Sequence, residues 1–155
     1  MATEIERKFL IVNDNWRKNI NTSIHMIQGY MGSNEKCSIR IRVNGETANL
    51  NIKSKTIGIQ RSEYDYPIPM DEAREMLESL CDKPLIEKTR YLVQHDRHQW
   101  EIDVFEGANE GLIVAELELE SANESFTKPD WAGEDVSEDP RYYNICLVTN
   151  PYKNW

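Results

Sequence analysis

The chain has 155 residues, 29% of them charged and 39% apolar, enough for one domain (1–155) that buries roughly 70% of the surface its unfolded form exposes. A net charge of −9 and a pI near 4.9 exclude the broad basic field that draws nucleic acid or an anionic membrane, although a local basic pocket stays compatible with them. Cys37, Cys81 and Cys146 are odd in number and lack Cys-x-x-Cys spacing, which argues against a disulfide framework or a zinc site. With no apolar run of membrane-span length, and an opening Met-Ala-Thr-Glu-Ile-Glu unlike a signal peptide, a cytoplasmic protein is expected.

In chain order, period-two alternation predicts strands over 3–12, 25–31, 37–43, 47–54, 61–68, 86–94, 98–105 and 111–120, with Asn44-Gly45 marking a tight turn between the third and fourth. A short turn is predicted at 13–18. Helical spacing of Ala73, Met76, Leu77 and Leu80 predicts a helix capped by Asp71 and ended before Pro84. Asp139-Pro140 predicts a second helix running through Tyr143 and Leu147, and the Ser-, Asn-, Glu- and Pro-rich stretch 121–137 reads as a loop. Eight strands and few helices give an α+β protein built on a closed, eight-stranded antiparallel β-barrel with peripheral helices.

The strands share an unusual design. In the first, Glu4, Glu6 and Lys8 project from one face while Ile5 and Phe9 bracket the other. Two carboxylates so placed repel unless a cation lies between them, and a divalent metal that prefers oxygen ligands meets that need. The scheme recurs in Arg40 and Arg42, Lys53 and Lys55, Glu63 and Asp65, Lys88 and Arg90, Glu101 and Asp103, and Glu116, Glu118 and Glu120. A sheet that turns one face to water alternates in the same way. Against that simpler reading stands the clustering by sign: Lys8, Arg40, Arg42, Lys53, Lys88 and Arg90 are cations, and Glu4/Glu6 and Glu116/Glu118/Glu120 are two acidic groups.

If the strands close, these faces point inward and make a wet, charged tunnel with the apolar faces outside. Like charges about 4 Å apart repel by about 4 kcal/mol at an effective dielectric near 20, so a polyanion is the expected occupant. Arginine forks and lysine point charges suit a run of phosphates, and the carboxylates suit Mg²⁺ or Mn²⁺.

Several motifs resemble those of the CYTH-domain proteins of the triphosphate tunnel metalloenzyme superfamily, in that family's order over almost the whole chain. They are Glu4-Ile-Glu-Arg-Lys8, Ile39-Arg-Ile-Arg42, Lys53, Arg61-Ser-Glu63-Tyr-Asp-Tyr-Pro, Glu87-Lys-Thr-Arg90-Tyr, Trp100-Glu-Ile-Asp-Val-Phe105, Ala115-Glu-Leu-Glu118 and Trp131-Ala-Gly-Glu-Asp-Val136. Arg141-Tyr-Tyr-Asn144 resembles the closing helix of short bacterial members, which can plug one end of the tunnel. The resemblance implies that Lys8, Arg40, Arg42, Lys53, Lys88 and Arg90 hold phosphates and that Glu4, Glu6, Glu63, Glu116 and Glu118 hold metal, Glu118 directly. It further implies a catalytic set of Lys8, Glu116 and Glu118, with Asp103 and Glu120 as supporting or second-metal groups.

The activity so implied is hydrolysis of a small triphosphate, inorganic triphosphate first, with Mg²⁺ or Mn²⁺ as cofactor. A class IV-type adenylate cyclase, a thiamine or nucleoside triphosphatase, and a binding module without catalysis are the alternatives. Neither nucleic acid nor membrane is an expected partner, and an apolar barrel exterior could support a homodimer. Tyr30, Trp100 and Trp131 are read as packing residues, and His25, His95 and His98 as surface or strand-end residues.

Overall fold

Alternation of charged and apolar side chains gives each strand an ionic and an apolar face, and the computed structural model, which describes residues 2–155, closes the sheet with the ionic face inward. The strands are β1 (Ala2–Ile11), β2 (Ile20–Ser33), β3 (Cys37–Asn44), β4 (Thr47–Ser54), β5 (Gln60–Pro67), β6 (Ile86–His95), β7 (His98–Phe105), β8 (Ile113–Glu118) and β9 (Ala132–Asp135). Helices α1 (Met70–Ser79) and α2 (Cys146–Thr149) and four short 3₁₀ turns complete it.

All strand pairs are antiparallel, in the order β5-β4-β3-β2-β6-β7-β8-β1. The β1–β5 pairing, with Glu4 opposite Arg61, closes the eight strands into a barrel. Closure removes the edges an open sheet would present, except along upper β1, beyond its pairing with β5. The expected Asn44-Gly45 turn is present, with Gly45 at φ +56°, a conformation glycine adopts without steric cost.

Because the lumen is ionic, the apolar cores lie outside it or at its end. One packs Phe9, Trp16, Trp100 and Trp131 on the outer face of β1, β7 and β8, with Trp100 and Trp131 ring centroids 5.3 Å apart. A second places Ala73 and Leu77 of α1 over Ile41, Val43 and Ala48. Where the end of α1 meets β2 the approach is close: a Cβ on Gly29 would fall 2.7 Å from Cys81 Cβ and 2.8 Å from Leu85 Cδ2, so only glycine fits. The third inserts Leu147 and Val148 of α2 among Ile86, Phe105, Leu112 and Val114, whose strand phase matches the inward charged residues, and so closes one end of the tunnel.

Three local expectations change. The loop predicted over 121–137 contains β9, which pairs Phe9 with Asp135 and Ile11 with Ala132 as an added strand beside the upper half of β1. The helix predicted from Asp139 breaks into a 3₁₀ turn (Pro140–Tyr142) and α2, because Tyr143 is extended (φ −72°, ψ 134°). Its hydroxyl donates to Ser137 O at 2.8 Å, and the break turns Asn144 into the tunnel. Helix α1 begins at Met70 after Pro69, so Asp71 lies in its first turn, favourable to the helix dipole, and is not the cap. Among the described residues no helix is long and apolar enough to cross a membrane.

Trp100 is fully buried against Phe9 and Trp131, so Trp100→Ala should lower unfolding free energy by about 3–5 kcal/mol in urea titration. Tyr66→Ala, on the half-exposed outer face of β5, should stay within about 0.5 kcal/mol.

Candidate active site

The inward faces enclose a cavity of ≈ 190 Å³. Every residue expected to hold phosphate or metal lines it: Lys8, Arg40, Arg42, Lys53, Lys88 and Arg90 on one account, Glu4, Glu6, Glu63, Glu116 and Glu118 on the other. Register explains the convergence, since Glu6 stands opposite Glu118, Lys8 opposite Glu116, Lys53 opposite Glu63 and Arg90 opposite Asp103.

The basic side is organised by Asp103. This wholly buried carboxylate accepts from Lys88 Nζ at 2.7 Å and from Arg90 Nε and Nη2 at 2.8 and 2.9 Å, a bidentate fork. Burial works to raise its pKa, but Arg90 and Lys88 outweigh that and hold it below the usual carboxylate range. Asp103 therefore anchors two cations behind the cavity, and it is not among the residues that line it. Arg90 Nη1 also donates to Glu101 Oε2 at 2.6 Å. Burial depresses the Lys88 ammonium to about 7 even beside Asp103, with Arg90 and Arg42 adding to the effect.

Arg40 and Arg42 differ from the rest because no carboxylate is bonded to either. Arg42 Nε donates only to Gln28 Oε1 at 2.9 Å, and Arg40 Nε is buried with no hydrogen-bond partner. Burial first, then Arg40 and Arg90, lower the Arg42 pKa to about 9, so it stays protonated at neutral pH. The buried Arg40 donor, with half-buried Arg42 beside it on the same strand face, calls for an anionic acceptor.

The acidic side gathers Glu4, Glu6, Glu63 and Glu118. Glu6 and Glu118 are directly opposed across β1 and β8, a like-charge pairing that is unfavourable without a cation. Burial raises the Glu6 carboxyl from 4.5 to about 7, and repulsion from Glu116 and Glu4 adds to it, partly offset by Lys53 and Lys8. Glu118 is raised by burial and then by Glu4 and Glu6. A side-chain cation is already held there: Lys53 Nζ lies 2.8 and 2.9 Å from the two oxygens of Glu4 and 3.4 Å from Glu63. Crowded oxygen donors that repel one another and have recruited an ammonium fit a hard divalent cation.

Glu116 joins the two sides. Its oxygens lie 3.4 Å from Lys8 Nζ and 3.4 Å from Arg90 Nη2. Lys8 and Arg90 outweigh the burial that would raise its pKa, so it stays ionised.

Some assignments move and others were missed. Glu120 lies beyond the end of β8, exposed and outside the cavity. Tyr30 is buried as expected of a packing residue, yet it also borders the cavity and meets Gln28 Nε2 at 3.4 Å. Arg61 bonds Glu6 at 3.3 Å, and it was discoverable because it shares the phase of Glu63. Glu101 shares the phase of Asp103 in the same way. Asn144, which accepts from Lys88 and Gln28 at 3.0 Å, stands in the Arg141-Tyr-Tyr-Asn144 motif but was given no role in the site. Outside the barrel, exposed His25 lies 2.9 Å from Glu87 and 3.3 Å from Glu106, while half-buried His98 pairs with Glu124.

The fold and its ionic lumen define a triphosphate-tunnel type of protein. The CYTH domain model matches residues 2–145, so the chain belongs to the CYTH family. It is 47% identical over 155 residues to an inorganic triphosphatase of Acetivibrio thermocellus, covering 100% of this chain and 99% of that one. It is 35% identical over 150 residues to an inorganic triphosphatase of Nitrosomonas europaea, covering 94% and 97%. A crystal structure of an inorganic triphosphatase superimposes with a TM-score of 0.67 at 32% identity, covering 96% of this chain and 95% of that one.

Glu6 binds its proton more tightly folded (about 7) than unfolded (4.5), so its protonated form favours folding and this contribution is lost as pH rises through that window. In EDTA, Tm should therefore fall between pH 5 and 8 by less in Glu6→Gln than in the native chain, and the variant should melt higher at pH 8. An equal fall in the two chains would show that Glu6 is ionised throughout and would overturn the raised pKa.

Proposed function

We propose that this chain is a metal-dependent triphosphatase that hydrolyses inorganic triphosphate to pyrophosphate and phosphate with Mg²⁺ or Mn²⁺. The observation that carries it is the pairing, in one closed-ended cavity, of a buried (Arg40) and a half-buried (Arg42) guanidinium group, neither bonded to a carboxylate among the described residues, with a cluster of mutually repelling carboxylates. The curated relatives support the substrate, since both are named as inorganic triphosphatases.

In this reading Arg40 and Arg42 supply forks for the phosphate oxygens, and Lys88 and Arg90, fixed from behind by Asp103, extend the row. An arriving phosphate restores full charge to Lys88. Lys8, held by Glu116 and by the Tyr142 carbonyl at 3.0 Å, joins the row at the border with the acidic side. Glu4, Glu6, Glu63 and Glu118 would hold the metal, directly or through water, with Glu118 the direct ligand and Glu116 linking metal to substrate. A divalent ion held by these residues would supply charge neutralisation on the transferring phosphoryl group and a lowered pKa for the attacking water. A carboxylate of the acidic side accepts the proton of the attacking water, the new P–O bond forms at the terminal phosphorus, and the bridging P–O bond breaks to release pyrophosphate. Leu147 and Val148 pack against the inward-phase Ile86, Phe105 and Val114 at one end of the barrel, and the cavity of ≈ 190 Å³ suits a short, free triphosphate.

The test is phosphate release from inorganic triphosphate, ATP and thiamine triphosphate, each with Mg²⁺, Mn²⁺ or EDTA. Inorganic triphosphate should turn over fastest and EDTA should abolish turnover. Glu6→Ala and Glu118→Ala should each lose at least about tenfold to a hundredfold in kcat/KM, and undiminished turnover in either would sink the metal assignment. Arg40→Ala should cost about tenfold to a hundredfold, the worth of a charge-assisted hydrogen bond to phosphate.

A further inference from the structure

Lys53 sits where a cation would sit. Its Nζ is nearly equidistant from Oε2 and Oε1 of Glu4, at 2.8 and 2.9 Å, so the ammonium straddles the carboxylate, and it lies 3.4 Å from Glu63 Oε2. A divalent ion held by both oxygens of Glu4 would occupy the same bisector at roughly 2.0–2.6 Å. The two cannot share it, because a dication and an ammonium so close repel strongly in a partly desolvated cavity. The backbone cannot yield either: Lys53 is locked opposite Ser38 and Glu63, and Glu4 opposite Arg61, in the continuous ladders of the barrel. Only the lysine side chain can leave, and the inward residue next to Ser38 on the neighbouring strand is Arg40, on the basic side.

We propose that Lys53 is the internal counter-cation of the metal site, displaced when a divalent ion takes Glu4, and that this displacement couples metal binding to triphosphate binding. Metal alone leaves the ammonium displaced from Glu4 and the unpartnered Arg40 on neighbouring strands beside the ion, all of one sign. A triphosphate relieves that crowding by giving the freed ammonium a phosphate oxygen. Each ligand therefore raises the affinity of the other, by the same factor. The inference deepens the metal-dependent triphosphatase reading and rests on it.

The test is the affinity for Mn²⁺, read from the electron paramagnetic resonance signal of the free ion, with and without the non-hydrolysable analogue imidotriphosphate. In the native chain the analogue should tighten Mn²⁺ binding. In Lys53→Met, Mn²⁺ without analogue should bind about tenfold more tightly than to the native chain, and the ratio of affinities with and without analogue should fall towards one, typical coupling factors being about 5- to 150-fold. Lys53→Gln should behave like Lys53→Met, and Lys53→Arg should retain the coupling, an outcome that loss of packing alone does not produce. Mn²⁺ binding to both neutral variants that is equal to or weaker than native, or no coupling in the native chain, overturns the proposal. Glu4→Gln separates the two readings. If it binds Mn²⁺ as tightly as the native chain, Glu4 is not a ligand and the metal placement itself fails; if it binds weakly while Lys53→Met is unchanged, only the counter-cation role fails.

Discussion

Charge placed inside a barrel must be neutralised inside it, and the network around Asp103 shows how this chain meets that condition. Asp103 is wholly buried, and without Lys88 and Arg90 its ionised form would be strongly unfavourable; without Asp103, two adjacent cations would repel across β6. Each partner is tolerable because the others are present. The same reciprocity runs outward through Arg90 to Glu101 and Glu116, from Glu116 to Lys8, and through Lys53 and Arg61 to Glu4 and Glu6. Among the described residues Arg40 and Arg42 are left without a carboxylate partner in this chain of compensation, which is why the reading proposed above puts the anion there.

An ionic lumen moves the hydrophobic driving force elsewhere. A small barrel ordinarily fills its interior with side chains, whereas here Trp16, Trp100 and Trp131 bury themselves on the outer wall and α1 covers Ile41 and Val43. The barrel is held from outside and at one end. At that end the return of the chain serves packing and polarity together: Leu147 closes an apolar stopper, while Asn144, a few residues earlier, accepts from Lys88 and Gln28. The tunnel is thus apolar at its base, basic in its middle and acidic towards the other side.

Much of this was legible because strand phase is local. Once Arg40 and Arg42, or Glu116 and Glu118, are seen to share a face, closure of the sheet brings the faces together without knowledge of register. What depends on register or on long-range return was not legible. That Asp103 is consumed by Lys88 and Arg90, and so differs from Glu63, follows from pairing and depth, to which alternation is blind. Glu120 continues the phase of Glu118, but the strand ends first. The 3.6-residue pattern after Pro140 is real, yet the bond from Tyr143 to Ser137 and those from Lys88 and Gln28 to Asn144 compete with the helix and break it. Strand β9 sits in a stretch whose composition is that of a loop and is recruited by the free edge of upper β1.

The acidic surface and the basic lumen impose opposite demands on an incoming anion. At a net charge of −9 the chain repels a bare triphosphate on approach, though salt screens that field over about 8 Å at physiological ionic strength. Inside, desolvated guanidinium groups act at short range and with less screening, so attraction dominates only after entry. A triphosphate already complexed to a divalent ion carries less negative charge and meets a smaller barrier outside. On the reading proposed above it would also bring the ion to the carboxylates and the phosphates to Arg40 and Arg42 in a single event, with the charges on both sides of the cavity satisfied together. That reading therefore makes the metal complex of the triphosphate the species that enters.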